Sequence, residues 1–272
     1  MLEEKKQKLQ SILQDMGSML VAFSGGVDST FLLRSALDAV GPQNVLAVTA
    51  TSSTYPKAEF EEACRLARQM RARHLVIESE ETEIAEFVQN PPNRCYYCKR
   101  ELFGKLVKVA KTERLNTVVD GSNLDDQADY RPGGRAAVEL GVRSPLREAG
   151  LTKSDIRQLS KELDLPTWNK PSFACLSSRF PYGQEISADK LERVDAAERF
   201  LRGKGFKQVR VRHHDHTARI EVPPSEMSLF FNTALIAEIV GELKRIGYTY
   251  ITLDLEGYRT GSMNEVLSED QK

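Results

Sequence analysis

Residues 24–30 read Ser-Gly-Gly-Val-Asp-Ser-Thr and combine the residue types that bind a polyphosphate. The stretch follows the apolar run 19–23 and precedes the apolar residues 31–33, which predicts a buried strand that turns into a helix. Backbone N–H groups at a helix start bind anions, and glycine lets the backbone approach them closely. Hydroxyl groups add donors, and a carboxylate beside phosphates can bind Mg²⁺. We expect the whole stretch to bind phosphates: Ser24, Gly25, Gly26, Val27, Asp28, Ser29 and Thr30.

This phosphate loop (residues 24–30) contains neither Gly-x4-Gly-Lys-Ser/Thr nor Gly-x-Gly-x-x-Gly, the two commoner motifs of phosphate-binding loops. It resembles the PP-loop, Ser-Gly-Gly-x-Asp-Ser, of the ATP pyrophosphatases. The resemblance implies an enzyme that binds ATP with Mg²⁺, releases pyrophosphate and transfers AMP to an oxygen of its substrate. The alternative is an ordinary glycine-rich turn, and a match of the whole motif in order disfavours it.

Three cysteines form the second group of residues that could take part in a reaction. Cys95 and Cys98 are three positions apart, which puts both thiols on one face of a helix, and Cys175 lies far along the chain. Cys64 falls in the apolar period of a predicted helix and fits a small buried hydrophobic residue. The pair alone is consistent with a redox dithiol, half of a zinc site or no function.

Three thiolates can also bind a [4Fe–4S] cluster and leave one iron open, and catalytic thiol chemistry is an alternative. Adenylation turns a carboxylate oxygen into a leaving group that a sulfur nucleophile can displace. An ATP loop together with reactive cysteines therefore predicts sulfur insertion, whereas a PP-loop enzyme that uses ammonia has no need of them. We expect Cys95, Cys98, Cys175 and Asp28 to take part in the chemistry.

Short apolar strands alternate with helices over the first 180 residues, which predicts an α/β domain with a parallel sheet covered on both faces. The pattern predicts strands over 19–23, 44–50, 74–77, 117–120 and 142–144, and helices over 2–17, 28–39, 56–71, 94–113 and 152–163. Ligands of such sheets bind at the carboxyl ends of the strands. Residues after two of these ends are expected to contact the nucleotide: Ala50, Thr51, Ser52, Gly121, Ser122 and Asn123. Asp125 either binds Mg²⁺ with Asp28 or caps a helix.

The sequence after residue 180 predicts a smaller α+β domain. Helices are expected over 187–203 and 232–246, and strands over 208–212, 218–222 and 248–253. We therefore predict a PP-loop domain over 1–180, a domain for substrate binding or oligomerisation over 181–265, and a flexible tail over 266–272.

Composition excludes several classes of protein. The net charge of −1 over 272 residues disfavours a dedicated nucleic-acid binder, and no apolar run approaches the roughly 20 residues of a membrane span. The first residues carry both signs of charge around no apolar core, which disfavours secretion. We expect a cytoplasmic protein with reduced thiols that binds neither nucleic acid nor membrane.

Several motifs in order along the chain resemble the LarE family of ATP-dependent sulfur transferases. They are the phosphate loop and the segments 92–99, 120–126, 143–146, 175–183 and 257–262. The resemblance implies an N-terminal ATP-pyrophosphatase domain, a small C-terminal domain and a homo-oligomer, with a hexamer known in the family. It implies that ATP adenylates a carboxylate of pyridinium-3,5-biscarboxylic acid mononucleotide, that sulfur displaces AMP, and that both carboxylates react in turn, in the synthesis of the nickel-pincer nucleotide cofactor.

The family has two sources of sulfur. Members with only the cysteine that matches Cys175 sacrifice it, whereas members with all three cysteines hold an extra sulfide on a [4Fe–4S] cluster. This chain resembles the second branch, with Cys95, Cys98 and Cys175 as cluster ligands fed by a sulfur donor system, and sacrifice of Cys175 stays open.

A phosphorylated substrate requires an anion site, for which arginines are the candidates. Arg179 lies near Cys175, and alternation places Arg210 and Arg212 on one face of a strand, which suits a phosphate. A solvated sheet face is the alternative. Arg259 is a further candidate on family resemblance.

Three other functions compete with this interpretation. A tRNA thiolation enzyme shares the PP-loop and cluster chemistry, but predicts a basic surface or an added RNA-binding module. An amide-forming synthetase such as NAD synthetase predicts no role for the three cysteines. A non-enzymatic ATP sensor predicts ATP binding without release of pyrophosphate.

Overall fold

The computed structural model describes residues 1–127, 132–171, 174–259 and 261–268. Its helices are α1 (Leu2–Met16), α2 (Val27–Val40), α3 (Lys57–Gln69), α4 (Ala85–Val88), α5 (Arg94–Thr112), α6 (Gly133–Glu139), α7 (Pro145–Glu148), α8 (Lys153–Glu162), α9 (Ala188–Gly203) and α10 (Thr233–Ile246). Its strands are β1 (Met19–Ala22), β2 (Val45–Thr51), β3 (Arg73–Glu78), β4 (Thr117–Val119), β5 (Arg210–His214), β6 (Thr217–Glu221) and β7 (Tyr250–Leu253).

Contacts within the chain divide it into two compact units. The first unit comprises Met1–Glu81 and Asn93–Phe173, and the second comprises Thr82–Pro92 and Ala174–Lys272. These units differ from the domains predicted from the sequence in residues 82–92 and 174–180, and the domain boundary at residue 180 stays a prediction. Residues 269–272 of the predicted tail lie outside the described residues.

The first unit is an α/β fold around a parallel sheet with the strand order β3-β2-β1-β4. Successive side chains of a strand point to opposite faces, and both faces of β1 are buried. Met19 and Val21 pack in a core with residues of α2, whereas Leu20 packs in a second core with Phe103 of α5. Helices therefore cover both faces of the sheet, which confirms the predicted fold class.

The fifth strand predicted over 142–144 is absent from this sheet within the described residues. Arg143 makes only an isolated bridge to Val119 at the end of β4. Pro145 begins α7 at once, so the chain leaves the sheet before a ladder can form. The other predicted strands and helices of this unit lie within a few residues of their expected bounds, whereas α6 and α7 were not predicted.

The second unit contains a three-stranded sheet with the order β5-β6-β7. β5 and β6 are antiparallel, whereas β6 and β7 are parallel. The apolar residues of β5 and β6, such as Val211 and Ile220, form a core with Leu201 of α9 and Leu243 of α10. The other face of β5 is also buried, because Arg210 and Arg212 are 5% and 8% exposed. The alternative of a solvated sheet face is therefore wrong.

None of the helices in the described part of the chain is both long and apolar enough to span a bilayer.

Candidate active site

The phosphate loop folds onto itself between β1 and α2. The backbone N–H of Ser24 donates to the Ser29 hydroxyl at 3.3 Å, and the two serine hydroxyl oxygens are 3.1 Å apart. Gly26 precedes the first helical residue, and its carbonyl accepts from the Thr30 N–H. Gly25 has φ of +63°, and a Cβ there would lie 2.9 Å from the Cα of Ala63 in α3. Left-handed backbone and close packing together require glycine at position 25.

Residues after β4 lie directly beside the phosphate loop, as expected. A Cβ on Gly121 would lie 3.0 Å from the backbone nitrogen of Ser29. The Asn123 amide donates to Asp28 Oδ1 at 3.4 Å. Asp120 fixes this turn, because its carboxylate accepts from the hydroxyls of Ser122 at 2.8 Å and Ser144 at 2.7 Å. The structure therefore brings together the loop and the predicted segment 121–123, and contact with a nucleotide stays a prediction.

The turn after β2 is held by a carboxylate that the sequence did not single out. Glu81 is 2% exposed, and its Oε1 accepts from the hydroxyls of Ser52 at 2.6 Å and Thr54 at 2.5 Å. Tyr55, which follows, donates its hydroxyl to the carbonyl of Ser24 at 2.7 Å, and burial raises the pKa of this phenol. Glu81 thus fixes the turn that reaches the phosphate loop. Ala50 and Thr51 end β2 on the same side, as predicted.

Two lysines contact the phosphate loop from distant parts of the sequence. Lys153, the first residue of α8, forms an ion pair with Asp28 Oδ2. Lys170 Nζ lies 2.7 Å from Glu59 Oε2 and donates to the Gly25 carbonyl at 3.3 Å. Neither lysine was predicted, because a lysine at a helix start or in a polar connection has no distinguishing signal in one sequence.

The two aspartates proposed for Mg²⁺ share Lys153 as a partner. Asp28 accepts from its ammonium group, and Asp125 Oδ2 accepts from its backbone N–H at 2.8 Å. Carboxylate oxygens are the ligands that Mg²⁺ prefers, and the ammonium group marks a position where a cation is stabilised. The donor set fits a magnesium ion. Asp125 begins a short 3₁₀ turn, so the capping role is compatible with the structure too.

The cysteines lie in different units of the chain. Cys95 and Cys98 are in the first two turns of α5 in the first unit, and Cys175 precedes a 3₁₀ turn in the second unit. All three are half-buried, as is Cys64. Across the described ranges, no group of three or more His, Cys, Asp or Glu residues is arranged to hold a metal ion. The helical spacing of Cys95 and Cys98 fits two ligands on one face.

Arg179, the first candidate for a phosphate contact, is completely buried beside Glu198. Its Nε and Nη2 donate to the two carboxylate oxygens at 2.7 and 2.9 Å, and its Nη1 donates to the carbonyls of Ala174 and Cys175. Burial opposes the charge of Arg179, but the Glu198 carboxylate outweighs it and raises the pKa of the guanidinium. Arg179 thus fixes the backbone at Cys175, and its contact with a phosphate stays a prediction.

Arg212 lines a pocket of about 130 Å³ within the second unit, which we call the arginine pocket. Its other lining residues include Ser178, Tyr182, His214, Arg219 and Ser262. Arg212 donates to Glu221 and to the Ser178 carbonyl, both at 2.7 Å, but its Nε has no hydrogen-bond partner among the described residues. Burial and the charges of Arg219 and Arg212 lower the pKa of His214. Arginines are therefore the charged residues that line this pocket, and Arg212 has a buried donor that no described residue uses.

The other two predicted arginines are placed differently. Arg210 is buried below the ring of Tyr258, with 5.3 Å between the guanidinium carbon and the ring centroid. Burial and the charge of Arg179 lower its pKa to about 10. Arg259 lies at the surface in ion pairs with Glu256 at 2.8 Å and Glu265 at 3.0 Å.

The parallel sheet with a Ser-Gly-Gly-x-Asp-Ser loop at the carboxyl end of β1 defines a PP-loop enzyme of the ATP-pyrophosphatase class. A family model described as NAD synthase matches residues 1–102. The chain is 40% identical over 272 residues to the pyridinium-3,5-bisthiocarboxylic acid mononucleotide synthase of Lactiplantibacillus plantarum, a match that covers 99% of this chain and 97% of that protein. The chain therefore belongs to the LarE family of ATP-dependent sulfur transferases.

Two further relatives extend over most of the chain. An uncharacterized protein of Synechocystis sp. is 44% identical over 269 residues, which cover 99% of this chain and all of that protein. An uncharacterized protein of Methanocaldococcus jannaschii is 31% identical over 243 residues, which cover 89% of this chain and 91% of that protein. Each of these matches is more than twice as long as the match to the family model, so the similarity extends well beyond residues 1–102.

Proposed function

We propose that this enzyme converts pyridinium-3,5-biscarboxylic acid mononucleotide into the bisthiocarboxylic acid, in nickel-pincer nucleotide synthesis. The full-length similarity to the Lactiplantibacillus plantarum synthase is the observation that carries the proposal. The chemistry of the two units supports it, because one offers a loop for ATP and the other a cationic pocket for a phosphorylated substrate. An amide-forming synthetase gives no role to the three cysteines.

The first half of the reaction is adenylation of a carboxylate. A carboxylate oxygen of the substrate attacks the α-phosphorus of ATP, and pyrophosphate leaves. The phosphate loop binds the phosphates through its backbone N–H groups and the hydroxyls of Ser24, Ser29 and Thr30. Asp28 and Asp125 are the residues that would hold a Mg²⁺ ion, and such an ion would supply positive charge to the leaving pyrophosphate. The residues 50–52 and 121–123 line the nucleotide.

The second half is attack of sulfur on the acyl carbon, with AMP as the leaving group. We propose that Cys95, Cys98 and Cys175 ligate a [4Fe–4S] cluster, which would supply a replaceable sulfide. The Arg179 side chain binds the carbonyls of Ala174 and Cys175 and so orders the backbone at this thiol. Sacrifice of Cys175 is the second route, and it leaves dehydroalanine at this position.

The substrate phosphate binds in the arginine pocket under this proposal. Arg212 has a buried Nε donor that no described residue uses, and Ser262 and Tyr182 line the same pocket. Arg179 also lines this pocket, and Arg210, which lies on the same strand as Arg212, is the further contact on that strand. Arg259 is the weakest of the four predicted contacts, because its guanidinium is engaged by two surface glutamates.

The decisive experiment supplies the anaerobically purified enzyme with MgATP, the biscarboxylic acid mononucleotide and sulfide. We expect pyrophosphate, AMP and products whose masses correspond to one and two oxygen-to-sulfur replacements. An enzyme that releases pyrophosphate without incorporating sulfur would contradict the proposal.

Two further measurements separate the sources of sulfur. Iron and acid-labile sulfide that disappear in Cys95→Ser, but not in the control Cys64→Ser, support the cluster. Loss of the elements of H₂S from Cys175 after turnover, seen in the mass of the intact chain, supports sacrifice and excludes a catalytic cluster.

We also propose that the protein is cytoplasmic, as its composition indicates, and that it self-associates, as the family resemblance implies. The second unit exposes large apolar side chains, among them Phe231 at 86% and Leu255 at 85%. Light scattering of the wild type and of Phe231→Ser tests self-association: a monomeric wild type would contradict it.

A further inference from the structure

The first carbonyl groups of the phosphate loop are bound by side chains from distant parts of the sequence. The Tyr55 hydroxyl donates to the Ser24 carbonyl at 2.7 Å, and the Lys170 ammonium group donates to the Gly25 carbonyl at 3.3 Å. The next carbonyl, that of Gly26, accepts from a backbone N–H of α2. Three successive peptide groups of the loop therefore have a fixed orientation.

These bonds decide where the N–H groups of the loop point. In a planar trans peptide, the C=O of one residue and the N–H of the next point in opposite directions. The N–H groups of Gly25 and Gly26 are therefore directed away from Tyr55 and Lys170. Neither N–H donates to any residue that the structure describes. Gly25 is left-handed, and successive N–H groups in such a turn form a concavity that binds anions.

Glycine makes this orientation easy to lose. Because glycine adopts positive and negative φ about equally readily, the peptide between Ser24 and Gly25 can rotate as a unit. Rotation would present the Ser24 carbonyl oxygen to a bound anion in place of the Gly25 N–H, so attraction would become repulsion. The Tyr55 hydroxyl opposes this rotation, and its bond to Ser24 is shorter than its 3.4 Å contact with the Glu59 carbonyl.

Tyr55 is itself held in place by the turn after β2. Its N–H donates to the Ser52 carbonyl at 3.1 Å, and the buried Glu81 carboxylate binds the hydroxyls of Ser52 and Thr54. Ser52 is expected to contact the nucleotide from this turn. Tyr55 therefore connects the turn after β2 to the first peptide of the phosphate loop.

We propose that Tyr55 is a positioning residue for the reaction, because its hydroxyl holds the peptide between Ser24 and Gly25 with the Gly25 N–H facing the phosphates of ATP. In this role Tyr55 acts through the peptide that it holds rather than by contact with ATP. The part of ATP that depends on it is the pyrophosphate group, which becomes the leaving group. This inference rests on the proposed binding of ATP at the phosphate loop.

Tyr55→Phe tests this role because it removes the hydroxyl and keeps the ring. We expect the Kd for magnesium pyrophosphate to rise by about 3- to 10-fold, the effect of one neutral hydrogen bond. The Kd for α,β-methylene ATP, which cannot release pyrophosphate, should rise by the same factor. The Kd for adenosine should stay unchanged, since the ring still fills its place in the turn. A tyrosine that only stabilised the turn would affect adenosine as well.

Tyr248→Phe is the matched control, because it removes a phenol hydroxyl that lies 3.2 Å from the His213 ring in the second unit. It should leave all three affinities unchanged. Calorimetry measures pyrophosphate and the ATP analogue, and ligand-observed NMR measures adenosine.

Three results would overturn the inference: an unchanged Kd for pyrophosphate in Tyr55→Phe, an equal loss for adenosine, or an equal effect of Tyr248→Phe. A wild type that binds neither pyrophosphate nor the analogue would overturn it too. If the expected pattern of affinities is found and the wild type forms no thiocarboxylate, the proposed function alone is contradicted and the role of Tyr55 stands.

Discussion

The two units contain ion pairs of opposite character. Arg179 and Glu198 in the second unit are both fully buried, and besides each other they bind backbone groups and the side chains of Ser178 and Arg202. Lys153 and Asp28 in the first unit are about a quarter exposed. A buried pair cannot exchange partners without a large desolvation cost, whereas an exposed pair contributes little stability and exchanges freely. Burial therefore distinguishes the Arg179–Glu198 pair, which stabilises the fold, from the Lys153–Asp28 pair, which can exchange partners.

The largest expected effect on stability comes from removing the charge of Glu198. Glu198→Gln leaves Arg179 buried without a counter-charge, so we expect the free energy of unfolding to fall by about 3–5 kcal/mol. Urea unfolding at neutral pH measures it. Glu242→Gln is the control, because Glu242 pairs with Arg245 at the surface of α10. A loss below about 1 kcal/mol for Glu198→Gln would show that this pair resembles a surface pair after all.

The next effect concerns pH and His213 in the second unit. Burial, together with the charges of Arg193 and Lys190, lowers the pKa of His213 to about 4. The unfolded chain binds a proton at His213 more readily than the folded chain does. The free energy of unfolding is therefore unaffected by this group above about pH 6.5, and it falls by roughly 3 kcal/mol as the pH falls towards 4.

The variant His213→Phe isolates this titration. His213 packs against Phe180 and lies 3.2 Å from the Tyr248 hydroxyl, so the variant is expected to be less stable at neutral pH. Its stability should nevertheless fall less between pH 6.5 and 4 than that of the wild type. Parallel curves for the two proteins would refute the assignment.

A smaller effect is expected in the arginine pocket. Arg212→Lys keeps the charge but loses the planar fork and its free Nε donor. We expect the Kd for the substrate mononucleotide to rise by about 10- to 150-fold, the equivalent of about 1.5–3 kcal/mol for a charged hydrogen bond. Calorimetry without ATP measures it, and Arg245→Lys at the surface serves as the control. An unchanged Kd would indicate that the substrate phosphate binds outside the arginine pocket.

The smallest effect on stability is expected at Asp28. Asp28→Asn removes an ion pair that is partly exposed to solvent, so the free energy of unfolding should change by less than about 1 kcal/mol. Asp38→Asn, which breaks the Asp38–Arg34 pair on the same helix, is expected to match it in stability. Only Asp28→Asn should weaken Mn²⁺ binding. Comparable destabilisation by Asp28→Asn and Glu198→Gln would remove the distinction between the two pairs.

The sequence predicts much of this arrangement because motif and periodicity are local signals. The phosphate loop is contiguous, and alternation placed Arg210 and Arg212 on one face of β5, although both turned out to be buried. The partners of these groups are not local. Glu81, Lys153 and Glu198 are ordinary charged residues on helices and turns, and only the fold brings them to Ser52, Asp28 and Arg179. The prediction of a strand over 142–144 was wrong because three residues are too few to show a periodic pattern.

The chain passes between the two contact-defined units three times. Residues 82–92 belong to the second unit, and the chain then returns to the first unit before Ala174 begins the main part of the second. Asn90 donates its amide to the Phe180 carbonyl, 90 residues later, and accepts from the Gly183 N–H. During synthesis this segment must wait for its partners to leave the ribosome. Neither unit is therefore a single continuous segment of the chain. A fragment that starts at Ala174 lacks residues 82–92, which belong to the second unit.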